Sequence, residues 1–185
     1  MERIPDFLVF MKVGNHAGET FDQILDRKRR EIEDAGRSFW GYGGNTCHPL
    51  KQVQPFVRSK LKLSKTGSVY LLMHYIDSQA PETLAAKEYS ADGVKWEAIP
   101  DGILVTGSRY ALVLDEIQPG ELILPLDHFG VAIGPSRGVS AREYLQGRVD
   151  KGCFERLGNP GPVPDEGTKI SYVARLCDPY AVLLK

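Results

Sequence analysis

The run Phe7-Leu8-Val9-Phe10-Met11-Lys12-Val13 is apolar almost without a break and rich in β-branched and aromatic residues, the pattern of a strand buried on both faces. Gly14 to Glu19 ends it. Thr20-Phe21-Asp22-Gln23 then has capping-box spacing, and Phe21, Ile24, Leu25, Ile32 and Ala35 fall near one stripe of a helix that Gly36 stops. Its other face pairs Asp26 with Arg30, Arg27 with Glu31 and Arg29 with Glu33, so the charge-dense run Asp26 to Asp34 reads as a solvated face.

The remainder of the chain is mostly short strands. Leu50 to Leu61 reads as a second helix, irregular around Pro55, and Ser68-Val69-Tyr70-Leu71-Leu72-Met73-His74-Tyr75-Ile76 is the strongest strand signal. Lys87 to Ser90 and Val94 to Ile99 flank the turn pair Asp92-Gly93. Ile103 to Val105, Arg109 to Leu114, Leu122 to Leu124 and Val131 to Ile133 follow as strands, the second and third separated by Pro119-Gly120. Ser140 starts a helix reaching toward Val149, residues 158–168 form a Pro/Gly-rich surface loop, and Ile170 to Leu176 and Ala181 to Leu184 are terminal strands. Short strands at short spacing predict an α+β fold, a compact mixed β-barrel with flanking helices. At 185 residues, one domain over 1–185 is expected.

Net charge constrains the function. With 23 Lys and Arg against 24 Asp and Glu, bulk charge draws the chain to neither nucleic acid nor an anionic membrane. No apolar run approaches the roughly 20 residues of a membrane span, so no membrane partner is expected. The charged start Met1-Glu2-Arg3-Ile4-Pro5-Asp6 has no secretion-signal core. Three cysteines without a C-x-x-C pair support neither a disulfide framework nor a zinc site. A reduced, cytoplasmic protein is expected.

One segment departs from this balance. Between Asp34 and Asp77 no carboxylate occurs in 42 residues, where an even spread would place about five, yet Arg37, Lys51, Arg58, Lys60, Lys62 and Lys65 all lie there. Such asymmetry marks a phosphate-binding surface, with Lys51, Arg58, Lys60 and Lys62 as the contacts, unless acids elsewhere in the fold cancel it. Inside the segment, Phe39-Trp40-Gly41-Tyr42-Gly43-Gly44-Asn45 places Trp40 and Tyr42 among glycines that let a ligand approach the backbone. An aromatic wall suits a flipped or methylated base, and a Trp plugging a core is the other reading of Trp40.

Other candidates carry less. None of His16, His48, His74 and His128 has zinc-site spacing, so no metal is expected. Cys47-His48 is a candidate thiol beside a base, although neighbours in sequence usually point apart. Trp96 is a core residue or a second aromatic wall, and Arg109 an anion partner or a surface ion pair. G-x-S-x-G, Walker-type and G-x-G-x-x-G motifs are absent, and no cofactor is expected.

The order apolar strand, capped helix, Trp, basic helix, Gly67-Ser68-Val69-Tyr70-Leu71-Leu72 strand and β-rich portion resembles the PUA-like superfamily, specifically its EVE and YTH branches. The resemblance covers about the first 75 residues, through Phe7 to Lys12, Phe39-Trp40-Gly41 and the Gly67 to Leu72 strand. It implies a β-barrel whose aromatic pocket accepts a modified base from RNA or DNA, with Trp40 as a wall and Tyr42, Asn45 and Trp96 around it; Gly41 and Arg109 join the expected base-binding set from the residue pattern alone. A longer Gly/Tyr loop after Trp40 and the lack of a Trp at the second YTH position depart from the pattern. The related ASCH branch includes small hydrolases and nucleases acting on nucleotides or nucleosides, which gives an alternative using Cys47 or His48. A protein partner meeting the Trp40 loop is a third reading.

Overall fold

The computed structural model describes residues 4–44, 48–146, 149–159, 162 and 167–185. The first strand, β1 (Phe7–His16), continues beyond Val13 because Gly14 leaves room for Ser78 of the neighbouring strand, where a Cβ would collide with that side chain. The register slips there, between Val13 and Asn15. Helix α1 (Phe21–Ala35) begins with the Thr20/Gln23 capping box and ends at Gly36, whose φ of 71° lets its N–H donate to Ile32 O at 2.8 Å. The charged run is not wholly solvated: Lys28 and Glu31 are buried and Ala35 is exposed. Three positions apart, these opposite charges neutralise each other on the inner face. Arg27 pairs with Glu31 as expected, whereas Arg29 turns to Asp26.

Ser38–Gly41 forms a short strand, β2, and α2 occupies Leu50–Leu61, running unbroken through the exposed Pro55. β3 (Tyr70–Ala80) lies parallel to β1. The hairpin strands β4 (Glu88–Ser90) and β5 (Glu97–Ala98) are shorter than expected, because Asp92 Oδ1 accepts from Val94 N at 2.7 Å and Lys95 N at 2.9 Å and organises a wide turn. Residues 103–105 are not a strand, since Leu104 spends both backbone groups on α1 side chains. The two strands expected around Pro119-Gly120 are one, β6 (Tyr110–Leu124), which absorbs the bend through shifts in register.

After a 3₁₀ turn at Leu126–His128 come β7 (Phe129–Val131) and a single helical turn, α3 (Ala141–Tyr144), shorter than expected because Ser140 provides no side-chain cap. β8 (Lys151–Arg156), not anticipated from the sequence, pairs antiparallel with β1. β9 (Thr168–Leu184) merges two expected strands across the cis bond Asp178–Pro179. Of the 158–168 loop, Gly158, Asn159, Pro162, Gly167 and Thr168 lie within the described residues.

Among the described residues these strands form a mixed nine-stranded sheet in an α/β arrangement with three α-helices. Its main path runs β2-β6-β9-β3-β1-β8-β7, with β4 joined to β9, and ends at β2 and β7 without closing on itself. Alternation along β1 and β3 sorts the interior. Val9, Leu71 and Met73 face α1 and α2, with Leu25, Val53 and Val57. Leu8, Phe10 and Leu72 face Phe129 and Phe154 on the opposite side. A third cluster, with Phe39, Tyr89 and Val113, lies under the β4–β5 hairpin. Among the described residues no helix is long and apolar enough to cross a membrane.

Candidate functional site

A cavity of about 450 Å³ opens between α1, β2, the ends of β1 and β3 and residues 104–108. That volume falls within the range of small-molecule sites. One wall is apolar. Trp40 Nε1 donates to Met11 Sδ at 3.3 Å, and Phe21 meets the Trp40 ring edge-on at 6.3 Å and 82°. Trp40 is 6% exposed, so it is at once part of the core and part of the lining. β2 holds it there by pairing Trp40 with Leu112 of β6.

The facing wall is polar and uncharged. His16, Ser78, Thr83, Thr106 and Ser108 come from three separate segments and all line the space. Two glycines let these segments close up. A Cβ on Gly41 would lie 2.6 Å from Ser108 Oγ, and one on Gly107, where φ is +65°, would lie 2.7 Å from Thr83 Oγ1 and 3.5 Å from His16 Nε2.

An ionic network that includes two lining residues, Arg27 and Lys28, adjoins the cavity. Lys28 Nζ donates to Glu31 Oε2 at 2.8 Å and to the carbonyls of Phe39 and Leu104, each at 2.6 Å. Glu31 also accepts from Ser38 Oγ at 2.5 Å, Arg27 at 3.1 Å and Leu104 N at 3.1 Å. Burial pushes the Lys28 ammonium down to about 8, against the pull of Glu31. The hydrogen bond from Arg27 holds the Glu19 carboxyl below its usual range. Other lining charges are also engaged: Lys12 donates to Leu145 O at 2.9 Å and Lys151 pairs with Asp150 at 3.0 Å.

The residues singled out in the sequence divide. Trp40 and Gly41 line the cavity. Tyr42 is fully buried and donates its hydroxyl to Phe10 O at 3.2 Å. Trp96 lies on the hairpin arm, 5.4 Å beneath Lys185 Nζ, and does not line the cavity. Exposed Arg109 does not line it either, whereas its neighbours Thr106 and Ser108 do. His48 is buried elsewhere, stacked on Tyr144 at 5.8 Å and 3°, with burial lowering its pKa and, among the described residues, no hydrogen-bond partner for Nε2. Asn45 and Cys47 lie outside the described residues.

The basic residues of α2 also divide. Lys51, Arg58 and Lys62 are exposed on one stripe with Pro55, spanning roughly 16 Å at 1.5 Å per residue. Among the described residues none of the three forms an ion pair. Lys60 instead pairs with Glu155 at 2.8 Å and sits 4.4 Å over the Phe7 ring. None of the four lines the cavity. The polar wall was not read from the sequence, since His16, Ser78, Thr83, Thr106 and Ser108 sit in no motif. Among the described residues no His, Cys, Asp and Glu side chains converge to hold a metal ion. In comparisons with protein-family models, curated proteins and solved structures, none matches the chain.

Proposed function

We propose that this is a cytoplasmic PUA-like domain that binds RNA or DNA and reads an exposed or modified base in the Trp40 cavity. The supporting observation is that a Trp-walled cavity of about 450 Å³ occurs in the same domain as a cationic stripe along α2 whose members form no ion pair among the described residues. A flat ring slides between Trp40 and the polar wall, gaining stacking on one side and hydrogen bonds at its edge. Lys51, Arg58 and Lys62 supply phosphate contacts that are independent of sequence. In this reading the sheet, whose main path ends at β2 and β7, is an open form of the superfamily's barrel.

The test uses Trp40 as its own probe. In a Trp96→Phe background, Trp40 fluorescence is followed while short single- and double-stranded oligonucleotides, methylated and unmethylated, are titrated at two salt concentrations. Quenching that depends on base identity, with affinity falling as salt rises, is the expected result. Absence of binding to every oligonucleotide at low salt overturns the reading.

A further inference from the structure

Resting on the reading above, we infer that the cavity selects ribonucleotides over deoxyribonucleotides, with the 2′-hydroxyl held by Thr83 and His16. The cavity's polar groups fall into committed and uncommitted sets. Every cation in its lining is already engaged within the protein: Lys28 by Glu31 and two carbonyls, Arg27 by Glu19 and Glu31, Lys151 by Asp150 and Lys12 by the Leu145 carbonyl. A phosphate placed inside would compete with these partners. Phosphates are better served by the α2 stripe, whose Lys51, Arg58 and Lys62 form no ion pair among the described residues.

The polar wall differs. Among the described residues, the hydroxyls of Ser78, Thr83, Thr106 and Ser108 and the ring of His16 make no hydrogen bond within the protein. Five uncharged groups with spare donor and acceptor capacity, facing a Trp and Met wall, match a ligand with one flat apolar face and a hydroxylated rim. A nucleoside is such a ligand, with its base on the Trp40 side and its sugar on the hydroxyl side.

Gly107 narrows the assignment. Its ideal Cβ position lies 2.7 Å from Thr83 Oγ1 and 3.5 Å from His16 Nε2, so both groups crowd against the same backbone position and flank one stretch of the cavity rim. A 2′-hydroxyl both donates and accepts, which suits a threonine hydroxyl on one side and an imidazole nitrogen on the other. Deoxyribose offers this pair no partner.

The experiment compares two fluorescein-labelled single strands of identical base sequence, one ribose and one deoxyribose, against the wild-type chain, Thr83→Val and His16→Phe. Thr83 is exposed at the rim, so its isosteric replacement leaves the core untouched. The expected result is that the wild type binds the ribose strand about tenfold more tightly, in keeping with the worth of one hydrogen bond, and that either substitution lowers ribose affinity more than deoxyribose affinity, so that the ratio falls to about one. Equal affinity of the wild type for both strands, with Trp40 quenched by each, overturns the ribose assignment and leaves base recognition standing. A ribose preference that survives both substitutions likewise overturns it. Failure of both strands to bind overturns base recognition and the ribose assignment together.

Discussion

Lys28 Nζ and Glu31 Oε2 lie 2.8 Å apart on α1, with side chains only 5% and 2% exposed. Through the Leu104 backbone, which both side chains bond, this pair fixes the cavity wall that continues to Ser108. Removing one partner strands the other's charge in the interior. Lys28→Met is therefore expected to destabilise the fold by about 3–5 kcal/mol, read from the urea denaturation midpoint. A double variant, Lys28→Met with Glu31→Leu, should recover part of that loss.

The same lysine imposes a pH dependence. Its pKa in the fold is lowered to about 8 from 10.5, so between those values the unfolded chain holds more protons than the folded one. Stability contributed by this group therefore rises as pH rises from about 8 toward 10.5, by an amount on the order of 3 kcal/mol. Denaturation at pH 7.5, 9 and 10 should show the wild type gaining relative to Lys28→Met. A constant difference across that range would show that Lys28 does not titrate there.

His48 works at the acid end. Burial lowers its pKa below 6.5, so on acidification the unfolded chain takes up a proton that the fold resists. Stability is expected to fall as pH drops below about 6.5, and His48→Phe should flatten that part of the profile. Thermal midpoints at pH 7.0, 6.0 and 5.0 provide the check.

How much of this was legible in the sequence varies with the range of the interactions involved. The limits of α2, the cap and stop of α1 and the start of β1 came from local signals such as Thr20, Gln23 and Gly36, whose effects act within a few residues. Lys28 and Glu31 were misjudged because their burial depends on Leu104, more than 70 positions away. β8 was missed because Lys151-Gly152-Cys153 is a strand only beside β1. The site was half legible: Trp40 and Gly41 stood out by composition, while the polar wall assembles from segments with no shared pattern.

The two kinds of lysine on α2 should separate in a salt titration. Lys51→Ala, Arg58→Ala and Lys62→Ala are each expected to reduce the slope of log affinity against log salt by about 0.7–0.9, one phosphate contact apiece. Lys60→Ala should change that slope much less, because its ammonium is engaged by Glu155, and should lower stability through lost packing on Phe7.

Gly107→Ala tests the seat directly. At φ +65° a side chain is strained by about 1–3 kcal/mol, and its Cβ would press on Thr83 Oγ1. A modest fall in melting temperature with a larger fall in oligonucleotide affinity is expected. Affinity unchanged from wild type would show that no ligand contacts the Thr83 side of the cavity.

β9 is the last strand in sequence yet lies between β6 and β3, in the middle of the sheet. During synthesis β3 and β6 are both complete well before Thr168–Leu184 leaves the ribosome, and until then each presents an open edge. The order of manufacture runs against the order of assembly. The two halves, β2 with β6 and β1 with β3, must wait apart for a keystone that arrives last, which makes folding slow and leaves the nascent chain dependent on whatever shields those edges from other chains.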